Sequence, residues 1–177
     1  MQDIYIIIIY VALVIPSLLV VKETRMRISN LRSGIRILVL LPITVSVLLS
    51  YVFFVMPFIS RIPILSLSWL GYNIAVGPLA QHGVIGVIPF LPLLLYMLIH
   101  VNYFEEYYFR TNSKRVVIWG FLHILMGVSL SVVLILLPLG FFYKYIYDKY
   151  SINHAYMLHF ATNVALIVVT ISSYFLI

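Results

Sequence analysis

The stretch IRILVLLPITVSVLLSYVFFVMPFIS, residues 35–60, contains a single charged side chain, Arg36. A helix of about 20 predominantly apolar residues crosses the hydrocarbon core of a bilayer, so this run predicts a transmembrane helix. The rest of the chain has the same character: 64% of its 177 residues are hydrophobic and 9% are charged. Soluble domains average about 25% charged residues. The composition therefore indicates a membrane protein.

Further apolar runs occupy residues 4–21, 83–103, 128–147 and 154–177. The first begins after Asp3 and has no basic n-region or small-residue cleavage site, so we interpret it as a retained helix and not as a signal peptide. Residues 61–82 are less regular, and with Trp69 and Tyr72 at headgroup level they are predicted to be interfacial or re-entrant. Residues 116–138 are either one long helix as far as Pro138 or a pair divided at Gly127. We predict an all-α, polytopic helix bundle of about six membrane helices, one transmembrane domain over 1–177 with a motif-bearing core at about 83–177.

Basic residues lie beside the apolar runs, where they predict orientation in the membrane. The densest group has only Glu23 against it and consists of Lys22, Arg25, Arg27, Arg32 and Arg36. Cytoplasmic loops carry an excess of Lys and Arg, which predicts a multi-pass cell-membrane protein with a cytoplasmic loop at 21–36 and an external N-terminus. We therefore interpret the net charge of +6 as basic residues that set the orientation of a protein embedded in membrane lipid, and we expect no nucleic-acid partner. The chain has no cysteine, which excludes disulfides and thiol chemistry.

Two adjacent acids, Glu105 and Glu106, follow one of these runs in a chain with only five acidic residues. Ionisable groups at membrane depth are costly and are usually paired or functional. Glu106 and Arg110 have the i, i+4 spacing and orientation that favour an ion pair, which leaves Glu105 as the working carboxylate. The opposite assignment stays open, and so does the alternative that all three are charges at a helix end reaching towards water.

His123, His159 and Asn163 also lie in apolar segments. His159 and Asn163 are four residues apart on one helix face and can direct a ring nitrogen and an amide to one point, an arrangement suited to an oxyanion. On a straight helix His123 would lie about 27 Å from Glu105, so a shared site needs a chain reversal, for which residues 111–113 provide a turn signal. Each histidine could instead form only an interhelical hydrogen bond.

Three other histidines, His82, His100 and His154, lie in loops or near helix ends and are interpreted as structural or interfacial. Glu105, His123 and His159 have the ligand chemistry of a zinc site, but no HExxH pattern supports it. The preferred interpretation therefore requires no cofactor, and zinc is a secondary hypothesis.

The ordered set EEYYFR (105–110), WGFLH (119–123) and HFATN (159–163) resembles the EExxxR, FxxxH and HxxxN motifs of the CPBP (Abi) family of intramembrane proteases, which includes the CAAX prenyl endopeptidases. The resemblance covers about residues 103–168. It implies that Glu105 and His123 activate a water, that His159 and Asn163 form an oxyanion hole, and that Glu106 and Arg110 maintain the shape of the site.

The chain departs from the family pattern at Trp119, where the family has Phe, and at Thr111, where Gly usually follows the Arg. The gap from Glu105 to His123 is also shorter than usual. The sequence favours an intramembrane endopeptidase acting on a membrane-associated peptide or protein, with its cavity open to the cytoplasm. The alternatives are a non-catalytic accessory subunit of a membrane complex with its own partner subunits, and a binder of haem or protons.

Overall fold

The computed structural model describes residues 23–68 and 91–176. Of these residues 89% are helical and none forms a strand, so the predicted all-α class is confirmed. The predicted first helix (4–21), His82, and most of the irregular segment at 61–82 lie outside the described residues. The beginning of the run at 83–103 also lies outside them.

Helix α1 (Thr24–Ser33) occupies the segment that we expected to be a cytoplasmic loop. It packs against α4 (Leu91–Phe109) and α7 (Ile152–Leu176). Arg27 is only 8% exposed, and its Nη1 donates to His100 Nδ1 at 2.8 Å and to His100 O at 3.2 Å. The basic segment is therefore part of the bundle, because the arginine finds acceptors on α4.

Helix α2 (Ile35–Ile59) corresponds to the helix predicted from residues 35–60 and is long and apolar enough to cross a membrane. Its first turns, Ile35–Leu40, are 3₁₀-helical, and Tyr51–Val55 form a π-helical turn. Each irregular segment comes just before a proline, Pro42 or Pro57. Proline has no N–H and its ring displaces the carbonyl of the preceding turn, so these departures from α-geometry follow from the sequence.

A short helix, α3 (Pro63–Ser66), follows α2. After α4 the chain reverses into α5 (Ser113–Leu122), whose N-cap residue is Asn112. The Asn112 side chain accepts a hydrogen bond from the Arg115 backbone N–H at 2.9 Å, which satisfies one of the unpaired donors at a helix start. The turn signal at residues 111–113 thus corresponds to a true reversal.

Gly127 ends the segment that begins with α5. A 3₁₀ turn, His123–Met126, continues α5 as far as Gly127, whose φ of 86° lies in the left-handed region favoured by glycine. Helix α6 (Leu130–Lys149) then begins. Of the two arrangements left open by the sequence, the structure has the pair divided at Gly127.

Helix α7 is central, since it packs against α1, α2, α4 and α6. The buried core at its N-terminal half consists of Ile37, Tyr143, Ile146, Ala155 and Leu158. The turn between α1 and α2 approaches α7 so closely that a Cβ on Gly34 would lie 2.1 Å from the Asn153 carbonyl oxygen. Only glycine fits at this contact.

Three helices are long and apolar enough to cross a membrane: α2, α6 and residues Ile152–Ser172 of α7. This count covers the described residues and does not establish the predicted six. Large apolar side chains are exposed on α2, including Val39 at 76% and Phe54 at 72%. Such a surface is unusual for a soluble monomer and fits a helix surrounded by lipid.

The basic segments meet at one end of the bundle. Lys144 Nζ, near the end of α6, donates to the Arg110 carbonyl oxygen at 3.3 Å, at the turn between α4 and α5. Asn153 Nδ2, at the start of α7, donates to Ser33 Oγ at 2.7 Å, at the end of α1. The end of α6, the reversal before α5 and the turn before α2 therefore lie on the same side.

Candidate active site

A fully buried ion pair lies near the end of α4. Arg110 Nη2 is 3.0 Å from Glu106 Oε1, and Arg110 Nε donates to both carboxylate oxygens at 3.1 and 3.2 Å. Both side chains have no exposed surface. The structure thus contains the i, i+4 pair that the spacing favours, and removes both charges from contact with lipid.

Arg110 also lies over an aromatic ring of α5. Its guanidinium carbon is 4.0 Å from the centre of the Trp119 ring and 5.6 Å from that of Tyr143 on α6. Such cation–π contacts gain strength when the groups are desolvated. Arg110 therefore joins α4 to α5 and α6 as well as holding Glu106.

Glu105 faces a different set of partners. Its side chain is 16% exposed, in contrast to the buried Glu106. Trp119 Nε1 donates to Glu105 Oε2 at 2.9 Å, and His159 Nε2 lies 3.6 Å from the same oxygen. Three helices, α4, α5 and α7, therefore meet at one carboxylate.

His159 is held on several sides. Its Nδ1 donates to Glu106 Oε1 at 2.8 Å, since a carboxylate can only accept. The Tyr143 ring stacks on the imidazole with centroids 4.8 Å apart, and Trp119 meets it edge-on at 5.8 Å. The Nδ1 contact fixes which nitrogen faces Glu105, so Nε2 is the atom available for chemistry.

His123 lies at the end of α5, beside Trp119. Its Nδ1 donates to the Trp119 carbonyl oxygen at 2.8 Å, and the two rings are 4.6 Å apart. With the proton on Nδ1, a neutral ring carries a lone pair on Nε2. His123 therefore has the tautomer of a base and adjoins the tryptophan that binds Glu105.

Asn163 pairs with a residue that the sequence analysis did not select. Its Nδ2 donates to Asn102 Oδ1 at 3.1 Å, one helical turn from the contact between Glu106 and His159. Asn102 is 1% exposed, and its Nδ2 has no hydrogen-bond partner among the described residues. Residue numbers rise along α4 as they fall along α7 in these two contacts, so the two helices are antiparallel.

The secondary prediction of a zinc site is not supported by this geometry. No group of three or more His, Asp or Glu side chains in residues 23–68 and 91–176 is arranged to hold a metal ion. Glu105 Oε2 instead accepts the Trp119 indole N–H, and the Nδ1 atoms of His123 and His159 are bound to the Trp119 carbonyl oxygen and to Glu106.

The other described histidines lie apart from these contacts. His100 bonds Arg27 and Thr24, and His154 Nδ1 bonds Ser151 Oγ at 2.8 Å. Both bind residues near them in the bundle, as expected for structural positions.

Trp119, Tyr143 and Asn102 are the residues that sequence reasoning missed. Trp119 appeared only as a departure from the FxxxH pattern, and Tyr143 is one of the 14 tyrosines of the chain. Asn102 had a signal that was not used: it is a polar residue in an apolar run, one helical turn before Glu106. Its position relative to Asn163, by contrast, is set only by how the helices pack.

Comparison with known proteins adds no relative: no family model matches the chain, and no curated protein or solved structure matches it. The roles implied by the three sequence motifs therefore depend on those motifs and on the contacts described above.

Proposed function

We propose that this protein is an intramembrane endopeptidase of the CAAX protease and bacteriocin-processing type, a member of the CPBP family. The observation that carries the proposal is the position of Glu105. Its partly exposed carboxylate lies where α4, α5 and α7 meet, next to a buried Glu106–Arg110 pair that holds His159. A carboxylate with imidazoles nearby in a largely apolar setting suits general-base activation of water.

In the proposed reaction Glu105, assisted by His123 Nε2, removes a proton from a water molecule. The water oxygen forms a bond to the carbonyl carbon of a peptide group, and the π electrons move to the carbonyl oxygen. The tetrahedral intermediate collapses as its C–N bond breaks, and the leaving amine takes up the proton held by the base. The products are a new carboxylic acid and a new amine; the acid then releases its proton, which the amine or bulk water takes up, and there is no redox change.

His159 and Asn163 are the proposed donors to the oxyanion. Since His159 Nδ1 already donates to Glu106, donation from Nε2 requires the doubly protonated ring. Asn163 has one N–H bound to Asn102 and keeps a second for the substrate. Glu106 thus supports the oxyanion role, because it holds the His159 ring in place through Nδ1.

We further propose a multi-pass protein of the cell membrane with about six membrane helices. The N-terminus lies outside and the site opens towards the cytoplasm. This orientation is supported by the meeting of the basic segments at one end of the bundle together with the cytoplasmic preference of Lys and Arg. Glu106 lies three residues before the end of α4, about 5 Å from that end at 1.5 Å per residue.

The test uses purified protein in detergent micelles and a set of synthetic single-span and amphipathic peptides, each with and without a C-terminal farnesylated cysteine. Cleavage is followed by mass spectrometry in H₂¹⁸O. We expect one ¹⁸O in each new carboxylate, with activity lost in Glu105→Gln. Glu23→Gln is the matched control, since Glu23 pairs with Arg27 instead, and it should retain activity.

Cleavage that persists in Glu105→Gln would refute the assigned base. If the folded wild-type protein cleaves no peptide of either class, the enzyme proposal fails. The same fold would then be interpreted as an accessory subunit of a membrane complex, with the buried ion pair acting only in assembly.

A further inference from the structure

Trp119 makes several contacts in the candidate active site that the roles described above do not explain. Its side chain is 2% exposed. The indole N–H is bound to Glu105, Arg110 lies over the ring, and the residue's own carbonyl oxygen holds His123 Nδ1. A side chain that only filled space would need neither the indole hydrogen bond nor the contact with Arg110.

The position of the indole is fixed by α6. A Cβ on Gly140 would lie 2.8 and 2.9 Å from Trp119 Cζ3 and Cε3, closer than side-chain atoms normally approach. The ring therefore packs directly on the α6 backbone, and Arg110 covers it at 4.0 Å. With its ring held in this way, the N–H has one direction, towards Glu105 Oε2.

We propose that Trp119 is a positioning residue for the reaction: its indole N–H holds Glu105 Oε2 and leaves Oε1 free to accept the proton of the attacking water. The inference rests on the proposed function. Where the CPBP pattern has Phe, the ring can pack in the same way but cannot donate. This chain thus orients its base by a hydrogen bond that the motif itself does not include.

The contact can be measured without a substrate. The chain has two tryptophans, so protein labelled with ¹⁵N at the indole nitrogen should give two indole N–H signals. The signal that disappears in Trp119→Phe is that of Trp119. We expect the Trp119 proton signal to move upfield in Glu105→Met, which has no acceptor, and to stay unchanged in the matched Glu23→Met. An unchanged signal in Glu105→Met would refute the bond.

The catalytic consequence is measured on the peptide that the wild-type protein cleaves fastest. A hydrogen bond to a charged group contributes enough to predict a fall in kcat of about 10- to 100-fold in Trp119→Phe. KM should change by less than about 2-fold, because the bond orients the base and does not bind substrate.

A near-isosteric replacement separates orientation from packing if Trp119→Phe folds poorly. In a Trp69→Phe background, biosynthetic incorporation of benzothienylalanine exchanges only the N–H of residue 119 for sulfur. We expect the same fall in kcat with an unchanged far-UV circular dichroism spectrum, which shows that the fold and the ring packing are kept. Full kcat in this protein would overturn the positioning role while leaving the endopeptidase proposal intact. Absence of hydrolysis by the wild-type protein would instead refute the endopeptidase proposal and with it the catalytic meaning of the bond.

Discussion

Removing the charge of Glu106 should destabilise the protein far more than removing that of a surface acid. Glu106 accepts hydrogen bonds from Arg110 Nε and from His159 Nδ1, and neither it nor Arg110 is exposed. Glu106→Gln keeps one acceptor oxygen but leaves a buried guanidinium without its counter-charge. Breaking a buried pair in this way costs about 3–5 kcal/mol. The Arg110 contact with the Trp119 ring is the same in both proteins and glutamine keeps one acceptor oxygen, so we expect a loss at the lower end of this range, about 3 kcal/mol.

The measurement is the free energy of unfolding in mixed micelles, followed by far-UV circular dichroism as the mole fraction of SDS rises. Asp148→Asn is the matched control, because Asp148 also forms an i, i+4 pair, with Lys144 at 2.7 Å, but is 54% exposed. Exposed pairs contribute about 0–1 kcal/mol. Equal losses in Glu106→Gln and Asp148→Asn would refute the reasoning.

A double variant tests the same argument independently. Arg110→Met should also be costly, since it leaves the Glu106 carboxylate buried and unpaired. The combination of Glu106→Gln with Arg110→Met removes both charges, and its loss should be well below the sum of the two single losses. Additive losses would show that the two side chains act separately.

Two further predictions concern packing and topology. Gly140→Ala should lower both kcat and the free energy of unfolding, the latter by about 1–3 kcal/mol, because the new Cβ displaces the Trp119 ring. Gly120→Ala should cost less, because its new Cβ meets the flexible end of the Leu137 side chain. Equal effects of the two variants in unfolding and kinetic assays would contradict this. The chain has no cysteine, so single cysteine variants report the orientation of the protein in the membrane. In intact cells Ser29→Cys and Ser113→Cys should resist a membrane-impermeant thiol reagent, whereas Ser66→Cys, beyond the other end of α2, should react. Labelling of Ser29→Cys from outside would overturn the proposed orientation.

The sequence was sufficient for the helices whose apolar runs are long. The span at residues 35–60 corresponds closely to α2, and the runs at 128–147 and 154–177 correspond to α6 and α7 within a few residues. Length and hydropathy determine these elements because lipid allows few alternatives to a helix. The turn at residues 111–113 and the break at Gly127 were also signalled locally, by a capping residue and by glycine.

The features that the sequence did not predict depend on how the helices pack against one another. The helix within the basic segment at 21–36 packs into the bundle, where Arg27 contacts His100, far along the chain. The role of Trp119 as a donor and the pairing of Asn102 with Asn163 likewise depend on packing between helices. Periodicity assigns a residue to a face of its own helix, but it does not tell which residue lies opposite.

The contacts of Glu106 with His159 and of Asn102 with Asn163, which join α4 to α7, have a consequence for how this protein can vary. Apolar side chains facing lipid or each other are largely interchangeable, so they say little about which alignment of two antiparallel helices is the right one. A slide of α7 by one turn would place Asn163 opposite Glu106 and leave His159 without its carboxylate. In distant homologues we therefore expect the two members of each pair, Glu106 with His159 and Asn102 with Asn163, to be conserved together or substituted together, whereas the apolar residues between them vary freely.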